Sequence, residues 1–530
     1  MPVFDSPSKS RFDMVREERN EEREGLLSGS QSFQSQCEKG EGTLHPAWPR
    51  NRIVGVAASF ILLLICGTFA RSLVCSRTPY SHPNLHFHGE ELRSNGTHDF
   101  KRTVLIISID GLRADYLDRG LTPHLLDISK KGLRAKAMKP IFPTLTFPNH
   151  WALMTGLYAE SHGIVANNFW DPASNEEFHY NQEASSWKPD WWFGEPMWES
   201  AGKAGIITAN LMWPGPPKTS SGAVPTYFIP WRDRVPLAEK LEQLLAWIDL
   251  PFEERPQLIM GYEPSLDQAG HATGPMSAAV NVSRPIQCFL AADLWQKTLG
   301  QVDTFAKDLH TALEQRNLTD IVDIVFVSDH GMTDTSHPEL VYMDNIIGEE
   351  GLTMIQHEDG WPSMGLRFYP EANASHYLEL LLKASDENPE KFDVYTHETM
   401  PERYHFTNND RIAPIYVVPK IGYSLTTKAE GNTGMSKGNH GYDNKEPSMH
   451  AMFVAHGPFS AVVKALHHGR SLSARFLSRP NKGWHSTSDD TYVMNTFQNV
   501  EVYNLVMKLL GIEQHAAHTN GTVGFWDKYF

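Results

Sequence analysis

Residues 103–110 read TVLIISID, an apolar and β-branched run that ends in an acidic residue. Runs of the same kind recur as AGIITANLMW (204–213), PQLIMGYE (256–263) and IVDIVFVSDHG (321–331). Continuous apolar runs of this length suit strands that are buried on both faces of a mostly parallel sheet. These four segments therefore predict the strands on which the fold is built.

Helical patterns occupy the segments between these runs. PLAEKLEQLLAWIDL (236–250) and LWQKTLGQVDTFAKDLHTALEQR (294–316) both have apolar residues at helical spacing. Alternating strands and helices predict an α/β fold with one doubly wound, mostly parallel sheet and helices on both faces. We expect a single large domain at residues 101–530, with more loops around 399–490.

The composition excludes several classes of protein. The 530 residues are 41% hydrophobic and 21% charged, which is ordinary for a globular chain and rules out a mainly disordered, fibrous or multi-span membrane protein. The formal net charge of −16 leaves no basic stripe for duplex nucleic acid, so we expect no such partner. Four cysteines are too few for a disulfide scaffold.

Residues 53–70 form an uncharged, mostly apolar run, IVGVAASFILLLICGTFA. At about 1.5 Å per residue the run spans roughly 27 Å, near the thickness of a thin bilayer core. A cleaved signal peptide is the alternative, but the polar residues 1–52 upstream make it a poor fit. We predict a transmembrane signal anchor at 53–70 and a stalk at 71–100.

Basic residues flank both ends of this anchor, so charge alone does not give its orientation. The glycosylation sequons indicate it instead. All of the sequons follow the anchor, which favours a cytoplasmic N-terminus and a glycosylated, lumenal or extracellular domain. They begin at Asn95, Asn281, Asn317, Asn373 and Asn520. We expect a type II membrane protein of the cell surface, vacuole, lysosome or endosome, in which Cys75 and Cys288 are free to pair or not.

Residues 1–52 are charged and polar with little to pack, and we predict a disordered cytoplasmic tail. Within this tail Glu22, Leu26 and Leu27 resemble an acidic dileucine signal that sorting adaptors bind. Two stray leucines in a tail are an equally good explanation.

Metal-ligand residue types stand where the apolar runs end, which is where sites form in open α/β sheets. The candidates are Asp110, Asp267, His271, Asp329, His330 and, in GNHGYDN, His440. The i, i+4 spacing of Asp267 and His271 puts both on one face of a helical turn. Carboxylate and imidazole ligands together suit Zn²⁺. Singly, Asp110 also fits a cap or turn, and Asp-x-x-x-His is common, so the prediction rests on their joint occurrence.

A second informative segment is FPTLTFPNHWALMTGLYAESHGIVANNFWDP (142–172). Thr146 precedes a helix-like run, and a hydroxyl there is most often an N-cap. It can instead be a nucleophile, because helix N-termini favour phosphate and a bound Zn²⁺ lowers the pKa of a hydroxyl. The local sequence alone favours the cap.

Together these segments resemble the nucleotide pyrophosphatase/phosphodiesterase family of the alkaline-phosphatase superfamily. The resemblance is carried by SIDGLRADYL, the threonine segment, MWPG, D-x-x-GH-x-x-GP, SDHGM and GNHGYDN, in that order. It covers roughly residues 102–525 and suggests a fungal-type, single-domain member.

The resemblance implies two zinc ions and a threonine nucleophile. One zinc ion would be held by Asp110, Thr146, Asp329 and His330, and the other by Asp267, His271 and His440.

The resemblance also implies how substrate is held. Asn167 would donate a hydrogen bond to a phosphoryl oxygen, and Phe147 would pack against the nucleobase. Trp231 is the candidate for the opposite face of the base, where relatives often have Tyr; a packed core tryptophan is the alternative. Two departures stand out: Leu145 occupies a position that is often Lys, and the lead-in to Asp267 is altered.

The implied activity is that of a nucleotide pyrophosphatase, also called phosphodiesterase I. It would hydrolyse nucleotides and their derivatives through a covalent nucleotide on Thr146 and release nucleoside 5′-monophosphates. A choline or lysophospholipid phosphodiesterase, a phosphomonoesterase and an inactive membrane-anchored ligand-binding protein remain as alternatives.

Overall fold

The computed structural model describes residues 91–275, 286–433, 435–464, 484–486 and 492–530. These residues belong to one compact unit, Thr78–Phe530. The predicted tail and anchor and most of the stalk lie outside the described residues, as do Asn281 and Cys75. Within the described ranges, no helix combines the length and the apolar composition needed to cross a bilayer.

Thirteen of the described strands build two sheets. In chain order they are β1 (Thr103–Ile109), β2 (Leu133–Ala135), β3 (Thr208–Leu211), β4 (Tyr227–Ile229), β5 (Leu258–Glu263), β6 (Val322–Val327), β7 (Ile355–Asp359), β8 (Met364–Phe368), β9 (Phe392–Thr396), β10 (Ile415–Pro419), β11 (Phe453–His456), β12 (Trp484–Ser486) and β13 (Tyr492–Met494). The larger sheet has the order β12-β13-β2-β11-β6-β1-β5-β3-β4. Its strands β6, β1, β5, β3 and β4 are parallel neighbours, whereas β11 is antiparallel to both of its own neighbours.

Most of the described α-helices pack against the larger sheet. In chain order the described set is α1 (Pro123–Lys131), α2 (Thr146–Thr155), α3 (Ala159–His162), α4 (Glu183–Ser186), α5 (Met197–Lys203), α6 (Leu237–Ile248), α7 (Ser265–Thr273), α8 (Ile286–Gln315), α9 (Asp344–Thr353), α10 (Ala374–Glu387) and α11 (Glu501–Leu510). Side chains of α1, α6 and α8 pack on one face of the larger sheet, and those of α2, α5 and α11 pack on the other. Helices α9 and α10 instead pack against the smaller sheet.

Strand β1 shows why its sequence is apolar throughout. Val104 and Ile106 belong to the hydrophobic core on one face, and Leu105 and Ile107 belong to the core on the other. Successive side chains of a strand point to opposite faces, so a central strand covered by helices on both sides needs apolar residues at every position. The predicted doubly wound, mostly parallel sheet is confirmed.

The prediction of a single sheet was incomplete. Strands β7 to β10 form a separate antiparallel sheet of order β7-β8-β10-β9, with its own apolar cluster that includes Leu366 and Val417. Its strands MGLRF (364–368) and FDVYT (392–396) mix polar and apolar residues, so they lack the continuous apolar run that marks the central strands. One predicted boundary also differs from the structure. Helix α8 begins at Ile286, whereas the sequence pattern placed its start at residue 294.

Short strand pairs complete the described structure. The pair that matters for the site is a hairpin, Asn168–Asp171 with Glu176–His179. The others are Arg93–Ser94 with Asp99–Phe100, Met138–Lys139 with Phe497–Gln498, Thr333–Asp334 with Gly438–Asn439, and Glu339–Tyr342 with Tyr423–Thr426.

Candidate metal centre and nucleophile

Three acidic residues meet at one edge of the large sheet. Asp110 follows β1 directly, Asp329 comes two residues after β6, and Asp267 lies in α7, which begins just beyond β5. Strands β6, β1 and β5 are adjacent and parallel, so their carboxyl ends lie side by side. The topology thus brings together residues that are far apart in the sequence.

One set of possible ligands, which we call the buried group, consists of Asp110, Asp329 and His330. One ligand atom of each lies within 4.8 Å of the others. His330 Nε2 is 3.0 Å from Asp329 Oδ2 and 3.4 Å from Asp110 Oδ1. No side chain of this group is more than 1% exposed.

The second set, which we call the open group, consists of Asp267, His271 and His440. Their ligand atoms meet the same 4.8 Å limit. Asp267 Oδ2 is 3.4 Å from His271 Nε2, and Asp267 Oδ1 is 3.5 Å from His440 Nε2. The His271 side chain is 33% exposed, so solvent reaches this group.

The two groups adjoin each other. The rings of His330 and His440 stack with their centroids 3.6 Å apart. Gly111 makes the close approach of the open group possible, since a Cβ there would lie 3.2 Å from both Cβ and Oδ1 of Asp267. Its φ of +69° also belongs to the left-handed region that favours glycine.

The three histidines are oriented in the same way. In each, Nδ1 lies 2.8–2.9 Å from a backbone carbonyl, which can only accept, so Nδ1 carries the proton. The pairs are His271 with Gly438, His330 with Gly331 and His440 with Thr144. With the proton on Nδ1, a neutral ring in each of these positions would present a bare Nε2 to the site, as metal-ligating histidines do.

The atoms left without partners fit a pair of cations. Among the described residues, no donor is hydrogen-bonded to the buried oxygens Asp110 Oδ1, Asp267 Oδ1 and Asp329 Oδ2. His271 Nε2 and His440 Nε2 lie 3.1 Å apart, so two lone pairs face each other. Buried groups in such arrangements are paired or bind metal, and carboxylate with imidazole suits Zn²⁺.

A second pair of neighbouring histidines, which lies outside the site, differs from the pair in the open group. His310 Nε2 and His456 Nδ1 lie 2.9 Å apart, and His310 Nδ1 is 3.5 Å from Glu314. This pair needs no cation, because a proton on His456 Nδ1 can be donated to His310 Nε2. The pair in the open group has no such proton to share.

The ionisation of the acidic residues reflects their crowding. Burial, together with the charges of Asp329 and Asp267, raises the pKa of Asp110 well above its usual range. Burial also raises the pKa of Asp267. Burial acts in the same direction on Asp329, but His330 and His150 outweigh it and lower the pKa of Asp329. A divalent cation would favour the charged form of all three carboxylates.

Thr146 stands beside the buried group. Its Oγ1 lies 3.1 Å from His330 Nε2. Thr146 is the first residue of α2, while the N-cap is Leu145, whose carbonyl accepts from Asn149 N. The cap interpretation of Thr146, which its local sequence favoured, is therefore wrong. The hydroxyl faces the candidate metal ligands at a helix N-terminus, where amide groups favour an anion.

Asn167 and Phe147 lie next to Thr146. Asn167 Oδ1 accepts a hydrogen bond from Phe147 N at 3.0 Å, which leaves the side-chain amide group of Asn167 as a donor. The ring of Phe147 is part-buried and meets Tyr180 at a centroid distance of 5.3 Å and an angle of 62°. Tyr180 is 41% exposed, so the two rings form an aromatic corner that is open to solvent.

Trp231 lies beyond the end of β4. Its side chain is 48% exposed, so it is not a packed core tryptophan. Stacking on a nucleobase stays a prediction for this residue.

Sequence reasoning missed two residues that contact the candidate ligands. Tyr262 in β5 donates a hydrogen bond from its hydroxyl to Asp110 Oδ2. His150 in α2 contacts both Asp329 and the carbonyl of Thr146. Both looked like ordinary members of an apolar run or helix. The available signal was their position, since one lies near the end of a central strand and the other one turn after Thr146.

Comparison with known proteins decides the family. A family model described as type I phosphodiesterase/nucleotide pyrophosphatase matches residues 104–443. An uncharacterised pyrophosphatase/phosphodiesterase of Schizosaccharomyces pombe is 35% identical over 436 residues, which are 81% of this chain and 80% of that protein. The chain belongs to the type I phosphodiesterase/nucleotide pyrophosphatase family.

Animal members of this family are also similar. Ectonucleotide pyrophosphatase/phosphodiesterase family member 3 of Mus musculus is 33% identical over 425 residues, 79% of this chain. That match spans 43% of the mouse protein, so the chain covers less than half of its length.

Solved structures of another family member share the fold. Murine ectonucleotide pyrophosphatase/phosphodiesterase 5 superposes with a TM-score of 0.65 and 28% identity, over 80% of this chain and 98% of that chain. An inactive threonine-to-alanine variant of that protein, in complex with AMP, superposes equally well at 27% identity. The large sheet with its helices is the α/β fold of the alkaline-phosphatase superfamily.

The structure shows the surroundings of the two positions that depart from the family pattern. Leu145 is 5% exposed and packs in the core on the α2 side of the sheet. In the altered lead-in, Glu263 is buried, accepts from Lys240 Nζ at 2.7 Å and accepts from Ser265 N at 2.8 Å. Neither departure removes a candidate ligand.

Proposed function

We propose that the protein hydrolyses phosphodiester and pyrophosphate bonds of nucleotides and releases nucleoside 5′-monophosphates. The observation that carries this proposal is the position of Thr146, whose Oγ1 lies 3.1 Å from His330 Nε2 at the N-terminus of α2. A hydroxyl placed among acidic and imidazole ligands is arranged for attack on phosphorus rather than for helix capping.

Two zinc ions fit the ligand sets. Asp110, Asp329 and His330, with Thr146 Oγ1, would hold one ion, and the open group would hold the other. When bound, the ions would supply positive charge at the phosphoryl group and lower the pKa of the Thr146 hydroxyl. The remaining chemistry belongs to the protein's own side chains.

In the first step the Thr146 hydroxyl gives up its proton to solvent, and the resulting alkoxide Oγ1 forms a bond to the phosphorus of the nucleotide. The bond from phosphorus to the leaving oxygen breaks, and pyrophosphate or an alcohol departs with the electron pair. The side-chain amide of Asn167 donates a hydrogen bond to a phosphoryl oxygen as its charge develops. In the second step the oxygen of water bonds to phosphorus, the bond from phosphorus to Thr146 Oγ1 breaks, and the proton that water gives up restores the Thr146 hydroxyl as the nucleoside 5′-monophosphate is released.

The aromatic corner supports a nucleotide over a choline or lysophospholipid ester. Phe147 follows the nucleophile directly and presents a part-buried ring beside the half-exposed Tyr180. A nucleobase stacks on such rings whatever its identity. The AMP complex of the murine relative supports the same substrate class, and we retain Trp231 as a second stacking candidate.

Product analysis of the purified full-length protein with ATP tests this function. We expect AMP and pyrophosphate, with loss of activity after chelation and recovery with zinc. ADP and phosphate would instead indicate a phosphomonoesterase. Hydrolysis of glycerophosphocholine without ATP cleavage would indicate a choline phosphodiesterase, and inertness towards both would leave a ligand-binding protein.

We also propose that residues 53–70 anchor the protein with its catalytic domain in the lumen or outside the cell. This proposal rests on the apolar run and the one-sided sequons. Two measurements on microsomes test it. One is the change in gel mobility of the protein after glycosidase treatment, and the other is the protection of the domain from protease added to intact microsomes. Absence of glycans together with full digestion of the domain would place the domain in the cytosol.

A further inference from the structure

His150 is a fourth histidine next to the buried group, and it differs from the three candidate ligands. It lies in α2, one helical turn after Thr146, and is fully buried. Its Nδ1 is 2.9 Å from the carbonyl oxygen of Thr146, and its Nε2 is 2.9 Å from Ser108 Oγ. Both ring nitrogens are therefore occupied, and none is left for a metal ion.

The partners of His150 fix its tautomer. A carbonyl oxygen can only accept, so Nδ1 carries the proton and donates to Thr146 O. The bare Nε2 then accepts from the hydroxyl of Ser108, a fully buried residue of β1. The two hydrogen bonds together select one tautomer out of two.

The Nδ1–H group also faces a candidate metal ligand. It lies 3.4 Å from Asp329 Oδ2, an oxygen that accepts no hydrogen bond among the described residues. One N–H group therefore lies between the helix turn that carries the nucleophile and the carboxylate beside it. The rings of Tyr262 and Trp213 meet the imidazole edge to face at 4.9 and 5.3 Å, which restricts its rotation.

We propose that His150 is a positioning residue that holds Asp329 and the first turn of α2 in register, and that Ser108 selects the tautomer needed for this. The inference rests on the proposed function only for the role of Thr146. In the opposite tautomer a lone pair would face both the carboxylate and the carbonyl, and the two elements would be pushed apart.

Two variants of His150 separate positioning from mere space filling. In His150→Asn the amide nitrogen takes the place of Nδ1 and keeps the donor towards Asp329. In His150→Gln the amide group lies where Nε2 was, and the donor is lost. We expect His150→Gln to lower zinc affinity and kcat by about 10- to 100-fold, as changes around metal ligands do, with KM little changed. We expect His150→Asn to retain more zinc and a higher kcat than His150→Gln.

Zinc retention by the full-length protein in competition with a chelator is the readout that does not depend on turnover. Equal retention in both variants and wild type, or weaker retention in His150→Asn than in His150→Gln, would overturn the proposal. If the His150 variants do not fold, Ser108→Ala decides, with Ser460→Ala as control for loss of a buried serine hydroxyl. Weaker zinc retention in Ser108→Ala alone supports the proposal, and equal retention overturns it.

Failure of this inference differs from failure of the proposed function. If wild-type protein turns ATP into ADP and phosphate, the proposed function is wrong, yet the zinc measurement still tests whether His150 holds the ligands. If wild type releases AMP and the zinc affinity of every variant is unchanged, only the role of His150 is wrong.

Discussion

The buried and open groups have similar ligands but different surroundings. In the buried group Asp110 Oδ2 accepts from Tyr262, and Asp329 Oδ1 accepts from Gly111 N at 3.2 Å, so both carboxylates are held from behind. In the open group His271 is 33% exposed, and its ring is fixed by one bond to the carbonyl of Gly438. One half of the site is enclosed and rigid, and the other half is reached by solvent.

This difference matches the two halves of the proposed reaction. The proposed nucleophile Thr146 belongs to the enclosed half, and at 9% exposure its surroundings limit the access of water. The solvent-accessible half is where water can enter for the second step. The comparison therefore predicts that the groups respond unequally to substitution, and the following predictions proceed from the largest effect to the smallest.

Removing the nucleophile should have the largest effect. We expect Thr146→Ala to lower kcat at least about a thousandfold, because no other hydroxyl occupies its place. Zinc content should stay near that of wild type, since the six acidic and imidazole ligands remain. Hydrolysis of the nitrophenyl ester of thymidine monophosphate measures the loss. Thr155→Ala, which removes a hydroxyl from the far end of the same helix, is the control, and activity near wild type in Thr146→Ala contradicts the assignment.

Substituting one ligand from each group tests the comparison itself. Asp329→Asn removes a negative charge that would balance the cation in a buried site, so we expect about 3 kcal/mol or more of lost transition-state stabilisation. At His271 water can replace the ring, and His271→Asn should cost about tenfold in kcat/KM. Added zinc should rescue only His271→Asn. Equal losses, or rescue of Asp329→Asn alone, would contradict the contrast between the groups.

Removing the hydrogen bond from Tyr262 to the buried group should have a smaller effect. Tyr262→Phe removes the hydroxyl that holds Asp110 Oδ2, and we expect about a tenfold loss in zinc affinity. Tyr503→Phe is the matched control, because this buried tyrosine also uses its hydroxyl but lies near Ser200 and Ala517. The same zinc affinity in both variants would show that the phenol of Tyr262 does not position Asp110.

The histidine pair outside the site should affect stability and not catalysis. Burial, with the charge of His310, lowers the pKa of His456 to about 4. The folded-state pKa lies below the unfolded value near 6.5, so this stabilisation is complete above pH 6.5 and is lost as the pH falls towards 4. When the pH is lowered from 7.5 to 5.0, the unfolding free energy of both proteins should fall. We expect the fall to be about 1–2 kcal/mol smaller in His456→Gln than in wild type. Urea unfolding measures this, and parallel pH profiles contradict it.

The clustering of the candidate ligands could be predicted from sequence, because the ends of neighbouring parallel strands meet at one edge of the sheet. Asp110 and Asp329 each end an apolar run, and parallel neighbouring strands bring such ends together. The antiparallel sheet of β7 to β10 could not be predicted in this way, because polar residues interrupt its strands. The supporting roles of Tyr262, Ser108 and His150 depend on contacts between distant segments, which no local pattern records.

The choice between cap and nucleophile at Thr146 teaches the same lesson. A hydroxyl at a helix start is ambiguous until its neighbours in space are known. The structure makes Leu145 the N-cap and puts His330, which is far away in sequence, beside Thr146 Oγ1. The resemblance to a known family supplied what the local residues did not.

Anomalous diffraction at the zinc edge, from crystals of the zinc-loaded protein, tests the central claim most directly. The account predicts two peaks, one bounded by Asp110, Asp329, His330 and Thr146 Oγ1, and the other by Asp267, His271 and His440. A single peak, or peaks away from these side chains, would contradict it.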